Sequence, residues 1–183
     1  QGFSPGWVAM MKNSISKLTP QFSTLRMLKE YVSLSYLPVA EREGLLSHND
    51  YAGTKTLTAW KQMISARFAT VQIARVEVRG IRSDELVEAG GTLDINMYVK
   101  PGKLDPAEIR AEFILGIREG DGFSDRPEVI PFQLVKELPR GEGLQFSLRY
   151  TIPRSGNYLF AARVVPTHEL LASSEETGLM CWG

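Results

Sequence analysis

Apolar residues follow two different spacings along this chain, and the change falls near residue 70. Before it they recur every three or four residues, the period of an amphipathic helix; after it they alternate with polar residues, the period of a half-buried strand. Ser4-Pro5 opens a first helix with a capping oxygen and a proline at the first helical position. Its stripe is Trp7, Met11, Ile15 and Leu18, and Thr19-Pro20 is expected to break it. A second helix spans about residues 21–36, with a stripe of Phe22, Leu25, Leu28, Val32 and Tyr36. Met27, Tyr31 and Leu34 are apolar on its other faces, so this helix needs cover on most sides. Pro38 is expected to interrupt again before a short helix over about residues 39–46. Asn49 or Asp50 then caps a third long helix, about residues 51–68, with Leu57, Trp60, Ile64 and Phe68 on one face.

The alternating half begins with Val71, Ile73, Val76 and Val78, which imply a strand with a slip in register near Ala74-Arg75. Leu93, Ile95, Met97 and Val99 alternate with Asp94, Asn96 and Tyr98 in a second strand. Ala111, Phe113, Leu115 and Ile117 form the inner face of a third. Further strands are expected over about residues 129–136, 144–152, 158–165 and 178–182, with a Gly/Asp-rich loop over 119–127. In the strand after Ser155-Gly156, Tyr158 and Phe160 share a face with Ala162 and Val164, and both are expected in the core. Ser-Gly-x-Tyr entering a core strand is also how immunoglobulin-like sandwiches place their tyrosine corner. About seven short strands separated by turns indicate a sandwich. The expected fold is α+β in two parts: an N-terminal helical segment, 1–70, and an all-β immunoglobulin-like sandwich, 71–183.

Composition narrows the function classes. Lys+Arg and Asp+Glu balance at 21 each, a poor electrostatic footprint for nucleic acid or an anionic membrane. No apolar run approaches the ~20 residues that span a bilayer, and no secretory signal precedes the first helix. Cys181 is the single cysteine, so no internal disulfide can form, and the expected compartment is the cytoplasm. Gln1-Gly2 reads as a cloning remnant.

Candidate chemistry is sparse. His48 and His168 are the two histidines; neither has Cys, His or carboxylate neighbours at metal-ligand spacing, and both read as solvated loop residues. Asp121-Gly-Phe-Ser-Asp125 offers oxygen atoms but lacks the acidic spacing and terminal Glu of a calcium loop, so a hairpin loop is the better reading. Cys181 has no base or cation close in sequence and reads as a packed thiol. Gly90-Gly91 and Gly120-Asp-Gly122 lack the residues of a phosphate loop. Trp7 and Trp60 lie on helix stripes and are expected in a core, whereas Trp182 is open to a role as a sugar platform. Glu41-Arg42-Glu43 reads as a solvated helical face. No catalytic, cofactor or metal residue is assigned.

Two stretches add a resemblance. Trp7-x-x-Met10-x-x-Asn13-Ser14-Ile15, followed by Pro20-x-Phe22-Ser23-x-x-Arg26-Met27-x-x-Glu30-Tyr31, resembles the end of the catalytic region of α-glucan (glycogen/maltodextrin) phosphorylases. Ser155-Gly-x-Tyr158-x-Phe160-x-x-Arg163-Val164-x-Pro166-x-His168, then Glu176-x-Gly178-Leu179-x-x-Trp182, resembles the terminal segment of their compact bacterial and archaeal branch. Trp60-Lys61 is similar to that branch too, whereas residues 81–142 match only in sandwich patterning. The resemblance implies a C-terminal fragment of a phosphorylase that uses pyridoxal 5′-phosphate and inorganic phosphate to release glucose 1-phosphate from α-1,4-glucan. The family's cofactor lysine precedes the Trp-x-x-Met stretch, and Lys12, Lys17, Lys29, Lys55 and Lys61 match no cofactor motif. The fragment alone is therefore expected to hold no cofactor and to be inactive, with the catalytic domains of the same polypeptide as its missing partner and self-association as a consequence. The alternative is a glycan-binding or protein-docking sandwich with a helical arm.

Overall fold

The computed structural model describes residues 2, 4–80, 87–120, 122, 123, 126–139 and 142–183. The chain forms two compact units, one ending at Thr54 and one comprising Lys55–Gly183. The first contains α1 (Pro5–Gln21), α2 (Thr24–Tyr31) and the start of α3 (Leu37–Arg67). The prolines break these helices less than expected. Pro20 lies inside the last turn of α1, where it removes one hydrogen bond just before the helix ends at Phe22. The interruption comes at Ser23, whose side chain accepts from Arg26 N at 3.3 Å and caps α2. Pro38 does not stop the helix either. The preceding turn, Val32–Tyr36, widens to π geometry, with Leu37 N bonded to Val32 O. A wider turn relieves the clash between a proline ring and the carbonyl four residues back. The break falls instead at His48–Tyr51, where Asn49, Asp50 and Tyr51 all have positive φ. Asn and Asp tolerate that region; Tyr51 is strained there.

The second unit begins with the last turns of α3, whose Leu57, Trp60 and Ile64 are buried together with Phe68, the face expected from their spacing. Among the described residues nine strands follow, in two antiparallel sheets. One has the order β1 (Gln72–Arg79), β2 (Thr92–Lys100), β7 (Leu144–Thr151), β6 (Gln133–Glu137). The other runs β4 (Gly122–Phe123), β3 (Ile109–Glu119), β8 (Tyr158–Pro166), β9 (Cys181–Trp182), and β5 (Glu128–Pro131) also pairs with β3. This is the expected helical segment followed by a sandwich. Leu93, Ile95, Met97 and Val99 are all buried, and Met97 faces Val76 on one side and Phe146 on the other. The register slip in β1 is present, between Ile73 and Arg75.

Three expectations for the strands change. The single strand expected over 129–136 is two strands in different sheets, since β5 pairs β3 and β6 pairs β7. Pro131 ends β5 because it cannot donate to a ladder, and the chain crosses at Phe132. Phe132 is buried edge-on against Phe113, 6.1 Å between ring centres. The 119–127 loop contains β4, which pairs with Arg118 and Glu119. Phe160 is 43% exposed rather than in the core. Its neighbour β9 pairs with Arg163 and Val164 and stops short of Phe160, so among the described residues no strand continues that pairing beside Phe160. Its ring stacks on Phe113 at 5.6 Å and leaves its other side to solvent. Tyr158 behaves as a tyrosine corner: it is half-buried, and its hydroxyl donates to Arg154 O at 2.7 Å.

Candidate docking surface

The residues singled out by sequence do not converge. His48 is exposed at the break in α3. His168 is packed rather than solvated: its ring centre lies 4.9 Å from that of Trp60, and its Nδ1 accepts from Leu170 N at 3.1 Å. Cys181 is half-buried, with Sγ 3.7 Å from Val71 O, as suits a packed thiol. Gly90 and Gly91 tie the chain to Ile152 through two backbone hydrogen bonds of 2.8 Å, which makes them a structural crossover. Gly122 opens β4, while Asp121, Ser124 and Asp125 lie outside the described residues, and the calcium-loop alternative with them. Among the described residues no three His, Cys, Asp or Glu side chains group to hold a metal ion. Nor is any described helix long and apolar enough to cross a membrane.

What stands out is apolar surface on the first unit. No residue of α1, α2 or the π turn is buried. Trp7, expected in a core, is 61% exposed, and it borders an open hollow of about 270 Å³ with Met10, Met11, Ser14 and Ile15. From the end of α1 through α2 into the π turn, exposure runs from 76% at Phe22 to 37% at Val32, with Leu25, Met27, Leu28 and Tyr31 between. Burying one such side chain is worth about 1.5–3 kcal/mol, so a run of them left in water is a surface that awaits cover. Little on these helices offsets it: Arg26 Nε and Glu30 Oε1 pair at 3.5 Å along one edge, and exposed pairs contribute only ~0.3–0.5 kcal/mol.

The second unit carries a charge cluster that sequence reading missed, because Glu112 and Arg163 are ordinary polar positions until β3 and β8 pair them. Glu112 and Arg163 are 2% and 7% exposed. Glu112 Oε2 lies 2.7 Å from Arg163 Nε, and its other oxygen takes Arg110 at 2.8 Å. Arg163 reaches on to Glu175 at 2.8 Å. Glu175's own backbone amide, and then the Arg163 guanidinium, hold its carboxyl below the usual range. Among the described residues no fully buried side-chain nitrogen or oxygen lacks a hydrogen-bond partner, as a buried ion pair requires, and the arrangement is a structural clamp.

A second polar link crosses the sandwich. Tyr150 on β7 donates to Glu128 Oε2 on β5 at 2.6 Å. Burial, then this hydrogen bond, push the Tyr150 phenol up to about 12. The unfolded phenol titrates near ~10, so the folded state holds the proton more tightly. Its stabilisation is therefore complete below pH ~10 and is lost as pH rises toward the folded value. Urea melts of the protein between pH 9 and 12 should show that loss, and Tyr150→Phe should flatten it. An unchanged pH profile in the variant would place the loss elsewhere.

Comparison with known proteins matches both parts of the chain. A maltodextrin phosphorylase of Thermococcus litoralis is 28% identical over 96% of the chain and 20% of its own length. A glycogen phosphorylase of Mycobacterium tuberculosis is 25% identical over 98% of the chain and 20% of its own length. Over 44 residues, 24% of the chain, a glycogen phosphorylase of Aquifex aeolicus is 39% identical. The chain thus spans about a fifth of the length of the curated relatives that it matches from end to end. Residues 69–183 match the family model described as the glycogen phosphorylase C-terminal domain. That match takes in the sandwich from β1 to β9, and on it the chain belongs to the glycogen phosphorylase C-terminal domain family.

Proposed function

We propose that this chain is the C-terminal region of an α-glucan phosphorylase, a glycosyltransferase that cleaves terminal α-1,4-glucosyl bonds with inorganic phosphate to release glucose 1-phosphate. The observation that carries this reading is the alignment of phosphorylases over 96–98% of the chain, helices as well as sandwich. This reading sets the boundary between the end of the catalytic region and the sandwich near residue 70, and the start of the family match at residue 69 supports it. A cytoplasmic enzyme acting on an intracellular glucan is the setting that this reading implies.

The chain's part in the reaction is structural. A phosphorylase's pyridoxal 5′-phosphate supplies the phosphate group that assists attack by inorganic phosphate, and it is held through a lysine. The residues here do not fit that group. Lys12, Lys17, Lys29, Lys55, Lys100, Lys103 and Lys136 are exposed, and Lys61 pairs with Glu176 at 2.7 Å. No catalytic step is assigned to them. The occupant of the exposed apolar face of α1 and α2 is the catalytic region of the same polypeptide, because the relatives are about five times longer than the chain (it covers 20% of each).

Phosphorolysis assays test the reading. With added cofactor, the chain alone should release no glucose 1-phosphate from maltodextrin, and the longer polypeptide that includes it should. Turnover by the chain alone would place the active site in these residues. Light scattering over a concentration series should show that the chain alone self-associates, and that Met27→Glu with Tyr31→Lys reduces this. The same pair should lower the melting temperature of the longer protein. A strictly monomeric chain, indifferent to both substitutions, would mean that the helices lack no partner.

A further inference from the structure

The sandwich holds a cavity of about 150 Å³ at one end, between the two sheets. Its walls are Leu115 and Ile117 of β3, Tyr150 of β7 and Tyr158 of β8, with Arg126 and Glu128 beside them. A single water needs only ~10–15 Å³ of such space, so the room exceeds one water roughly tenfold. We propose that this cavity binds one uncharged glucosyl unit of an α-glucan. The α-glucan reading above supplies only the identity of the sugar; the hydroxyl-rich, uncharged class comes from the cavity.

The hydrogen-bond inventory selects that class. Tyr158 gives its proton to Arg154 O at 2.7 Å, and Tyr150 gives its proton to Glu128 Oε2 at 2.6 Å. Both phenol protons are committed, so the two hydroxyls present lone pairs to a ligand. Glu128 is acceptor-only when ionised. Three acceptors on one cavity call for a ligand that brings its own O–H donors. A carboxylate brings none, and a phosphate brings few, each with its negative charge set against Glu128. Arg126, with Arg154 also on the lining, supplies donors for the ring oxygen or a hydroxyl oxygen. The site thus both takes and gives hydrogen bonds, as a polyhydroxylated ligand does and a fully ionised anion does not. Leu115, Ile117 and the two phenol rings suit the C–H faces of a pyranose, the usual mixture of apolar wall and few placed polar groups in a small-molecule site. A cross-sheet latch between Tyr150 and Glu128 needs neither the open volume nor Arg126.

Saturation-transfer NMR on the whole chain, which tolerates self-association, tests this with maltose, cellobiose, glucose 1-phosphate and inorganic phosphate as probes. Maltose should bind saturably in the millimolar range, as a ligand with few buried atoms does. Glu128→Gln and Arg126→Ala should each weaken it about tenfold or more, the effect of losing a charged hydrogen bond. Arg126 is exposed, so its variant keeps the fold. No saturable signal, or maltose binding untouched by Arg126→Ala, would overturn the site. Tighter binding of glucose 1-phosphate or phosphate than of maltose would overturn the uncharged class. Cellobiose bound as tightly as maltose through the same residues would overturn the α-glucan assignment. Failure of phosphorolysis by the longer protein bears instead on the proposed function and leaves these binding results to stand or fall by themselves.

Discussion

Phe113→Ala is expected to destabilise the sandwich by about 3–5 kcal/mol, the usual cost of truncating a fully buried aromatic. Phe113 is fully buried, with Phe132 edge-on to it and Phe160 stacked on it, so its removal leaves a cavity that neither ring can enter without leaving its own contacts. Phe160→Ala removes a ring already 43% exposed and should cost no more than about 2 kcal/mol. Urea melts followed by the β-sheet circular dichroism signal give both numbers. Equal losses in the two variants would mean that Phe160 carries more packing than its exposure implies.

The second large effect belongs to Glu112. Glu112→Ala should cost about 3–5 kcal/mol, because it leaves Arg163 buried without its closest partner. Glu175 contacts Arg163 from a half-exposed position and can replace only part of that interaction. Replacing both partners with apolar residues, Glu112→Leu with Arg163→Met, should recover most of the loss, since well-packed apolar pairs often match a buried ion pair. Four melts, of parent, Glu112→Leu, Arg163→Met and the double, separate pair from partners. A loss below about 1 kcal/mol in Glu112→Ala would show that water reaches Arg163. The Glu175 carboxyl adds a pH term. Its depressed folded value means that its stabilisation is present above the unfolded carboxylate range and is lost as pH falls through the folded value.

Much of the fold was legible because it rests on local periodicity. The alternation at Leu93, Ile95, Met97 and Val99 and the helical stripe Leu57, Trp60, Ile64 and Phe68 both predicted the buried face. The register slip near Ala74-Arg75 showed as a break in the same alternation. Prolines were less informative. Pro38 reads as a stop, but a π turn ahead of it lets the helix continue, and nothing in the local sequence announces that turn. Residues 129–136 read as one strand because both β5 and β6 are β-prone, and only their separate partners, β3 and β7, divide them.

By itself the sequence determined the two-part organisation, the alternating core, the tyrosine corner and the family resemblance, since each depends on residue types at short spacings. Only the tertiary structure decided that Phe160 is left half-exposed, that Glu112 and Arg163 are buried together, and that Tyr150, Tyr158 and Glu128 meet around one cavity. Those outcomes follow from which strands pair and where a pairing stops. Strand pairing joins residues distant in sequence, Glu112 and Arg163 being 51 apart, and period-two spacing fixes the face of a side chain without naming its neighbour.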